Sequence, residues 1–235
     1  MIIGYREAQP DRRKNIEYIL NYLKQYHIRD NFEVIVVEQD VGSKMPTGDF
    51  YRHFFLYNPG FYNRSWGFNV GANVCDSDIV IFCDSDLILK MDDLLEAVSY
   101  LEKYEAVNPK GKVYDVEENV LDPFNYRGKE RGCLNFSGGL MLMKKDIFFK
   151  IKGWDEDFRG WGGEDDAMTI KINAFTYHIS LGYLIFHLFH KDKTVICNKE
   201  NLNLLGRLHE LKQNKLKLLE YYKDKQIGDI KKYEN

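Results

Sequence analysis

The sequence predicts one α/β domain with a mixed, mostly parallel central sheet flanked by helices. It opens with an apolar strand, a helix and a second apolar strand, over residues 1–5, 11–26 and 32–38. This succession is typical of parallel strands joined by a crossover helix. A third apolar run, residues 78–83, ends in two aspartates, and no linker or repeat divides the 235 residues. A chain of this length can bury a sizeable core as one domain.

The remaining elements follow in order along the chain. Residues 42–63 mix polar and aromatic side chains and predict mostly loop, whereas residues 66–74 and 91–102 predict helices. Residues 104–132 lack periodicity and predict a long irregular segment. A strand over 134–143, a helical turn over 146–150, a helix over 164–175 and a strand over 183–189 come next. Leucines at helical spacing predict a single amphipathic helix over 198–222.

Composition limits the classes of function. Hydrophobic residues make up 44% and charged residues 29%, which is ordinary for a soluble globular protein. The formal net charge of −3 offers no basic field, so we exclude nucleic acid as a partner. The first apolar run is too short for a signal peptide or a transmembrane segment, so we expect a cytoplasmic protein. The four cysteines show no metal-like spacing and predict reduced thiols; they are Cys75, Cys83, Cys133 and Cys197.

Two aspartates, Asp84 and Asp86, directly follow the third apolar strand. In open α/β sheets, ligands bind outside the carboxyl ends of the strands. Carboxylates at that edge can hold Mg²⁺ or Mn²⁺, which in turn binds phosphate oxygens. The alternative is a strand-end turn that caps the next helix, since aspartate suits both.

Two histidines, His187 and His190, lie at the end of the last predicted strand. Residues three apart on a strand face opposite sides, so both can bind one metal only if the chain turns there. The alternative is one core histidine and one surface histidine. Together with Asp86, two imidazoles and a carboxylate suit a borderline ion such as Mn²⁺ better than Ca²⁺.

A glycine-rich turn with a tryptophan precedes three acids, in the segment GWGGEDD over residues 160–166. The glycines permit close backbone approach, and Trp161 offers a flat face to a sugar ring. Glu164, Asp165 and Asp166 open a helix, where the simplest interpretation is that they complement the helix dipole. The same position keeps a carboxylate ionised, as a general base requires.

This segment resembles the signature of the β-1,4-galactosyltransferase family. The resemblance continues over residues 136–166, over NRSWGFNVG (residues 63–71) and at the first strand. It implies a GT-A fold with a nucleotide-binding half (1–103), an acceptor and catalytic half (104–197), and a C-terminal helix and tail (198–235). It also implies inverting transfer of a hexose or N-acetylhexosamine from a UDP-sugar, with Mn²⁺ or Mg²⁺, to a hydroxyl of a glycan, glycoconjugate or protein.

The resemblance also implies roles for single residues. Asp165 would be the catalytic base, with Glu164 beside it, and Asp86 and His190 would be metal ligands. His187 falls where the animal enzymes have methionine, which makes the metal site richer in nitrogen. The remaining residues would contact the donor: Arg6, Asp40, Arg64, Asp84, Trp161, Gly163 and Asp166. One arginine of the family's first motif is missing from residues 4–8, and the disulfide pattern of a Golgi enzyme is absent from the sequence.

Two other functions stay open from the residues alone. A metal-dependent nucleotidyltransferase would share the strand-end acids but would have no use for the glycines and tryptophan before a base. A non-catalytic module that binds nucleotide-sugars or glycans would need Trp161 and the arginines but not Asp165. Two further expectations concern packing: Trp154 should lie under the acidic loop, and His53 has no partner that the sequence can name.

Overall fold

The computed structural model describes residues 1–27, 32–46, 48–132, 135–191 and 198–234. Cys75 and Cys83 are buried free thiols, as expected, whereas Cys133 and Cys197 lie outside the described residues. Within the described ranges, no helix combines the length and the apolar character needed to cross a bilayer. The cytoplasmic location stays a prediction.

The first half of the chain forms the parallel part of the sheet. Its strands are β1 (Ile2–Tyr5), β2 (Ile35–Asp40), β3 (Arg52–Tyr57) and β4 (Ile79–Asp84), in the spatial order β3-β2-β1-β4. All three pairings between them are parallel, so their carboxyl ends meet at one edge. The prediction of loop over residues 42–63 is wrong for β3. This aromatic strand lies at the edge of the sheet, and pairing with β2 determines its conformation.

The second half extends the sheet with mixed pairings. It contains β5 (Leu87–Ile88), β6 (Ala106–Asp115), β7 (Lys129–Arg131), β8 (Leu140–Lys144) and β9 (His178–His187). The order continues β4-β8-β6-β9-β5, and β7 pairs with β6. The predicted fold class, a mixed α/β domain, is confirmed. The prediction of an irregular segment over 104–132 is wrong for β6, whose Asn, Pro and Gly residues hide the strand pattern and accompany two register shifts.

The helices cover both faces of the sheet. Alternation along β1 places Ile3 in one core with helix α1 (Pro10–His27) and helix α3 (Met91–Ser99), and Ile2 in the other. The second core also contains side chains of α2 (Arg64–Val74), α4 (Lys145–Lys150) and α5 (Glu164–Phe175). This three-layer arrangement leaves the carboxyl edge of the parallel strands for the site.

The C-terminal region forms two helices, α6 (Lys199–Leu211) and α7 (Lys215–Tyr222), so the prediction of one helix over 198–222 is wrong. Asn214 lies between them, and its side chain accepts hydrogen bonds from the backbone of Leu216 and Lys217 at 3.1 and 3.2 Å. Asparagine in this position starts a new helix by satisfying its first N–H groups. The leucine spacing continues across the break, which is why periodicity alone does not reveal it.

Candidate active site

Asp86, His187 and His190 form one group, here called the His–Asp cluster. Strand β5 pairs antiparallel with β9 so that Leu87 lies opposite His187, which brings the preceding Asp86 beside that histidine. The Oδ2 atom of Asp86 lies 3.4 Å from Nε2 of His190 and 3.8 Å from Nε2 of His187. Strand β9 ends at His187 and residues 188–190 are irregular, so both imidazoles reach the same carboxylate. The structure thus brings together the three residues predicted as metal ligands.

The chemistry of this donor set suits a divalent cation. Ligand atoms of the three residues all lie within 4.8 Å of one another. Burial lowers the pKa of His187, which favours the neutral imidazole that a metal requires. Burial opposes the charge of Asp86, yet contacts with His190, His187 and Arg12 hold its pKa below the ordinary value. The guanidinium of Arg12 contacts Oδ2 of Asp86, so this carboxylate already forms an ion pair with Arg12.

A second group, the Arg64 cluster, consists of Arg64, Asp84 and Asp165. Arg64 is the first residue of α2, and its Nε and Nη1 donate to Asp84 and Asp165 at 2.6 and 2.5 Å. Its guanidinium carbon lies 4.8 Å from the ring centroid of Trp154, which is fully buried in the same core as Met168 and Ile172 of α5. The Nη2 of Arg64 is buried and has no hydrogen-bond partner among the described residues. This donor can serve an anionic oxygen of a ligand.

Helix α5 carries the acids of this region. Burial raises the pKa of Glu164 to about 7, and the charge of Asp165 adds to that effect. Burial also raises the pKa of Asp165 and, to about 6, that of Asp84, in each case against the positive charge of Arg64. Asp166 points outward and accepts a hydrogen bond from Asn135 at 3.0 Å. A crowded set of carboxylates therefore surrounds one buried guanidinium.

The loop before α5 depends on its glycines. Gly160, Gly162 and Gly163 have φ of 72°, 101° and 95°, a region that other residues rarely adopt. Trp161 between them is 59% exposed. Gly163 is also the N-cap of α5, so the turn starts the helix from which Asp165 reaches Arg64.

Sequence reasoning missed Asn201, which holds this loop from helix α6. Asn201 is 1% exposed, and its side chain donates to the carbonyls of Arg159 and Gly162 at 3.0 and 2.8 Å. It also accepts from the backbone N–H of Arg159 at 3.2 Å. A single asparagine within a leucine-spaced helix carries no signal of such a long-range contact.

Sequence reasoning also missed Lys110, which lies buried on β6. Its ammonium donates to the carbonyls of Phe136 and Leu140 at 3.0 and 2.5 Å. Burial lowers the pKa of Lys110 to about 7, while the nearby charge of Asp165 opposes this. A lone lysine in a segment without periodicity offered no reason to place it beside the acids.

Arg6 and Asp40, both predicted to contact the nucleotide, lie at the ends of β1 and β2. Arg6 donates to three backbone carbonyls, those of Gln39, Asn58 and Gly60, at 2.6, 2.8 and 2.7 Å. Asp40 accepts from Lys44 at 2.7 Å; burial opposes its charge, yet this bond, the N–H of Val41 and the charges of Lys44 and Arg6 together lower its pKa. Arg6 therefore joins the ends of β2 and β3 in this structure, and its contact with a nucleotide stays a prediction.

The histidine without a predicted partner, His53, has one in the structure. Its Nε2 lies 2.9 Å from Oε2 of Glu38, which is fully buried on the neighbouring strand β2. The contact depends on pairing between β2 and β3, and β3 was not predicted. His53 is thus part of the packing of this edge.

The comparison with known sequences points to one group of proteins. A family model described as the N-terminal domain of galactosyltransferase matches residues 118–190, which include the acidic helix and both histidines. Human β-1,4-galactosyltransferase 4 is 24% identical over 211 residues, which cover 84% of this chain and 52% of that protein. Human chondroitin sulfate N-acetylgalactosaminyltransferase 1 is 29% identical over 161 residues, covering 61% and 30%. The chain spans about half the length, or less, of these relatives.

Solved structures share the fold. Drosophila β-1,4-galactosyltransferase 7, as a mutant in complex with manganese, UDP-Gal and xylobiose, superimposes with a TM-score of 0.57 at 19% identity. That match covers 86% of this chain and 77% of the other. TarS of S. aureus, in complex with UDP-GlcNAc, has a TM-score of 0.64 at 14% identity and covers 95% and 70%. The chain therefore has the GT-A fold of these structures, and its sequence is similar to those of the β-1,4-galactosyltransferases.

Proposed function

We propose that this protein is an inverting, divalent-metal-dependent glycosyltransferase that uses a UDP-sugar. The observation that carries the proposal is that the segment from Asp84 to Asp86 joins two clusters at the carboxyl edge of the sheet. Asp86 belongs to the His–Asp cluster, and Asp84 belongs to the Arg64 cluster, which contains the acid of the GWGGEDD segment. In this proposal the cation site and the carboxylate base lie on either side of the segment from Asp84 to Asp86, which suits transfer from a nucleoside diphosphate.

Asp86, His187 and His190 would hold the metal, and their mixed nitrogen and oxygen donors favour Mn²⁺. The bound ion would supply charge stabilisation for the leaving diphosphate. The unpartnered Nη2 of Arg64 offers a further donor to a phosphate oxygen. Arg12 would compete with the cation for Asp86, because its guanidinium contacts Oδ2 of that carboxylate.

Asp165 would act as the general base. Arg64 donates to Oδ1 of Asp165, which leaves Oδ2 to receive the proton of an acceptor hydroxyl. The acceptor oxygen then bonds to the anomeric carbon while the bond from that carbon to the diphosphate oxygen breaks, and its electron pair leaves with UDP. Because burial raises the pKa of Asp165, this carboxylate accepts a proton more readily than an exposed aspartate does.

The donor class is a UDP-hexose or UDP-N-acetylhexosamine, and the acceptor is a glycan, glycoconjugate or protein hydroxyl. The relatives support this class because their names and bound compounds include galactose, N-acetylgalactosamine and N-acetylglucosamine. Trp161 supplies an exposed ring in the glycine loop that precedes Asp165, and aromatic faces suit the apolar face of a sugar.

The test combines binding and donor consumption. UDP, GDP and several UDP-sugars are screened by thermal shift with and without Mn²⁺, and released UDP and free sugar are then measured. We expect Mn²⁺-dependent stabilisation by UDP compounds and slow hydrolysis of one UDP-sugar. Transfer of the nucleotide instead of the sugar would indicate a nucleotidyltransferase, and binding with no turnover of any donor, even with glycan acceptors present, would indicate a binding module.

A further inference from the structure

Asp115 and Arg131 lie directly behind the His–Asp cluster, on strands that the sequence did not predict. Strand β6 pairs in parallel with β9, and Asp115 lies opposite His187 in that register. Strand β7 pairs with β6 and places Arg131 opposite Val113, two residues before Asp115 on β6. Residues directly opposite each other on paired strands, and residues two apart on one strand, point to the same face of a sheet. Backbone pairing itself therefore places these side chains together.

The contacts among the three side chains are short. Oδ1 of Asp115 lies 3.1 Å from Nδ1 of His187 and 2.7 Å from Nε of Arg131. The Nη2 of Arg131 lies 3.2 Å from the same Nδ1 of His187. The opposite nitrogen of the ring, Nε2, faces Asp86 and His190. Each ring nitrogen of His187 therefore has its own set of neighbours.

This arrangement determines which nitrogen of His187 can bind a metal. A neutral imidazole carries one proton, so Nε2 offers a lone pair only when Nδ1 bears the hydrogen. That hydrogen needs an acceptor, and Oδ1 of Asp115 is a carboxylate oxygen only 3.1 Å from Nδ1. If Arg131 instead donates to Nδ1, the proton lies on Nε2 and the lone pair is lost to the cluster.

We propose that Asp115 is a positioning residue that holds His187 in the metal-binding tautomer, with Arg131 anchoring Asp115. The inference rests on the proposed function, because it assumes that the His–Asp cluster binds a divalent cation. A carboxylate behind a metal-binding histidine fixes the orientation of the ring and makes it a stronger ligand. Asp115 therefore makes His187 a stronger metal ligand than a histidine without such a partner would be.

The test measures Mn²⁺ affinity directly, by calorimetry and by the electron paramagnetic resonance signal of free Mn²⁺. We expect Asp115→Ala to weaken Mn²⁺ binding by about 10- to 100-fold, as is usual for loss of such a partner. Glu118→Gln removes a negative charge from the same segment at an exposed position and serves as the matched control. It should change the affinity by less than about twofold, since an exposed charge is largely screened.

A double-mutant cycle separates positioning from a general structural effect. If Asp115 acts through His187, Asp115→Ala should cost no further affinity in a His187→Ala background, whereas independent effects would add. If the wild type and the Asp115→Ala variant bind Mn²⁺ equally tightly, the role of Asp115 is wrong but the proposed metal site stands. A wild-type protein that binds no Mn²⁺ would instead overturn the metal site of the proposed function.

Discussion

On the proposed mechanism, replacement of Asp165 by asparagine should separate sugar transfer from UDP binding. The change keeps the shape of the side chain and an oxygen that can accept the hydrogen bond from Arg64, but it removes the proton acceptor. Loss of a general base costs about 10²- to 10⁴-fold in rate. At about 1.4 kcal/mol per factor of ten, this corresponds to about 3 to 5 kcal/mol of transition-state stabilisation.

The structure limits the effect of this variant on folding and on donor binding. Arg64 keeps its second partner, Asp84, at 2.6 Å, so its charge does not become isolated. Weakening one hydrogen bond to a charged group costs about 1 to 3 kcal/mol of folding free energy. Removal of one negative charge should leave binding of the anionic UDP unchanged or slightly tighter.

The assay is steady-state transfer together with UDP affinity and thermal unfolding. Asp146→Asn is the matched control, because Asp146 is also an acid in the first turn of a helix but lies exposed on α4. We expect this control to keep full activity. The reasoning would be refuted if Asp165→Asn lost UDP binding together with transfer, since that pattern means a structural role, or if it kept normal transfer.

Three further predictions follow from the same site. Asp86→Ala should weaken Mn²⁺ and UDP binding together, measured by calorimetry; intact Mn²⁺-dependent UDP binding would mean that the metal lies elsewhere. Glu164→Gln should stabilise the ligand-free protein by about 1 to 3 kcal/mol at pH 8 in urea unfolding, because its folded pKa, about 7, lies above the unfolded value and ionisation opposes folding. This gain should vanish as the pH falls below about 4.5, where the glutamate is protonated in both states; a gain independent of pH would contradict the assignment. Asn201→Ala should loosen the glycine loop and increase acrylamide quenching of Trp161, which is exposed while the other two tryptophans are fully buried; unchanged quenching would refute the bracing role.

Local patterns account for the parts of the fold that the sequence predicts. Strands β1, β2 and β4 each begin with an apolar run, and helix α5 begins after a glycine turn at the predicted residue, Glu164. The predicted ligands Asp86, His187 and His190 follow from residue type and from their position at strand ends. These features depend on neighbours in the chain, so spacing and composition are sufficient to find them.

Only the tertiary structure decided which distant side chains meet. The partner of His187, Asp115, lies 72 positions earlier on a strand with no visible period, and the brace Asn201 reaches the loop from another helix. These contacts depend on strand register and helix packing, which come from the summed burial of many apolar residues. By itself the sequence determined the fold class and the candidate ligands and base, whereas sheet pairing determined their orientation and partners.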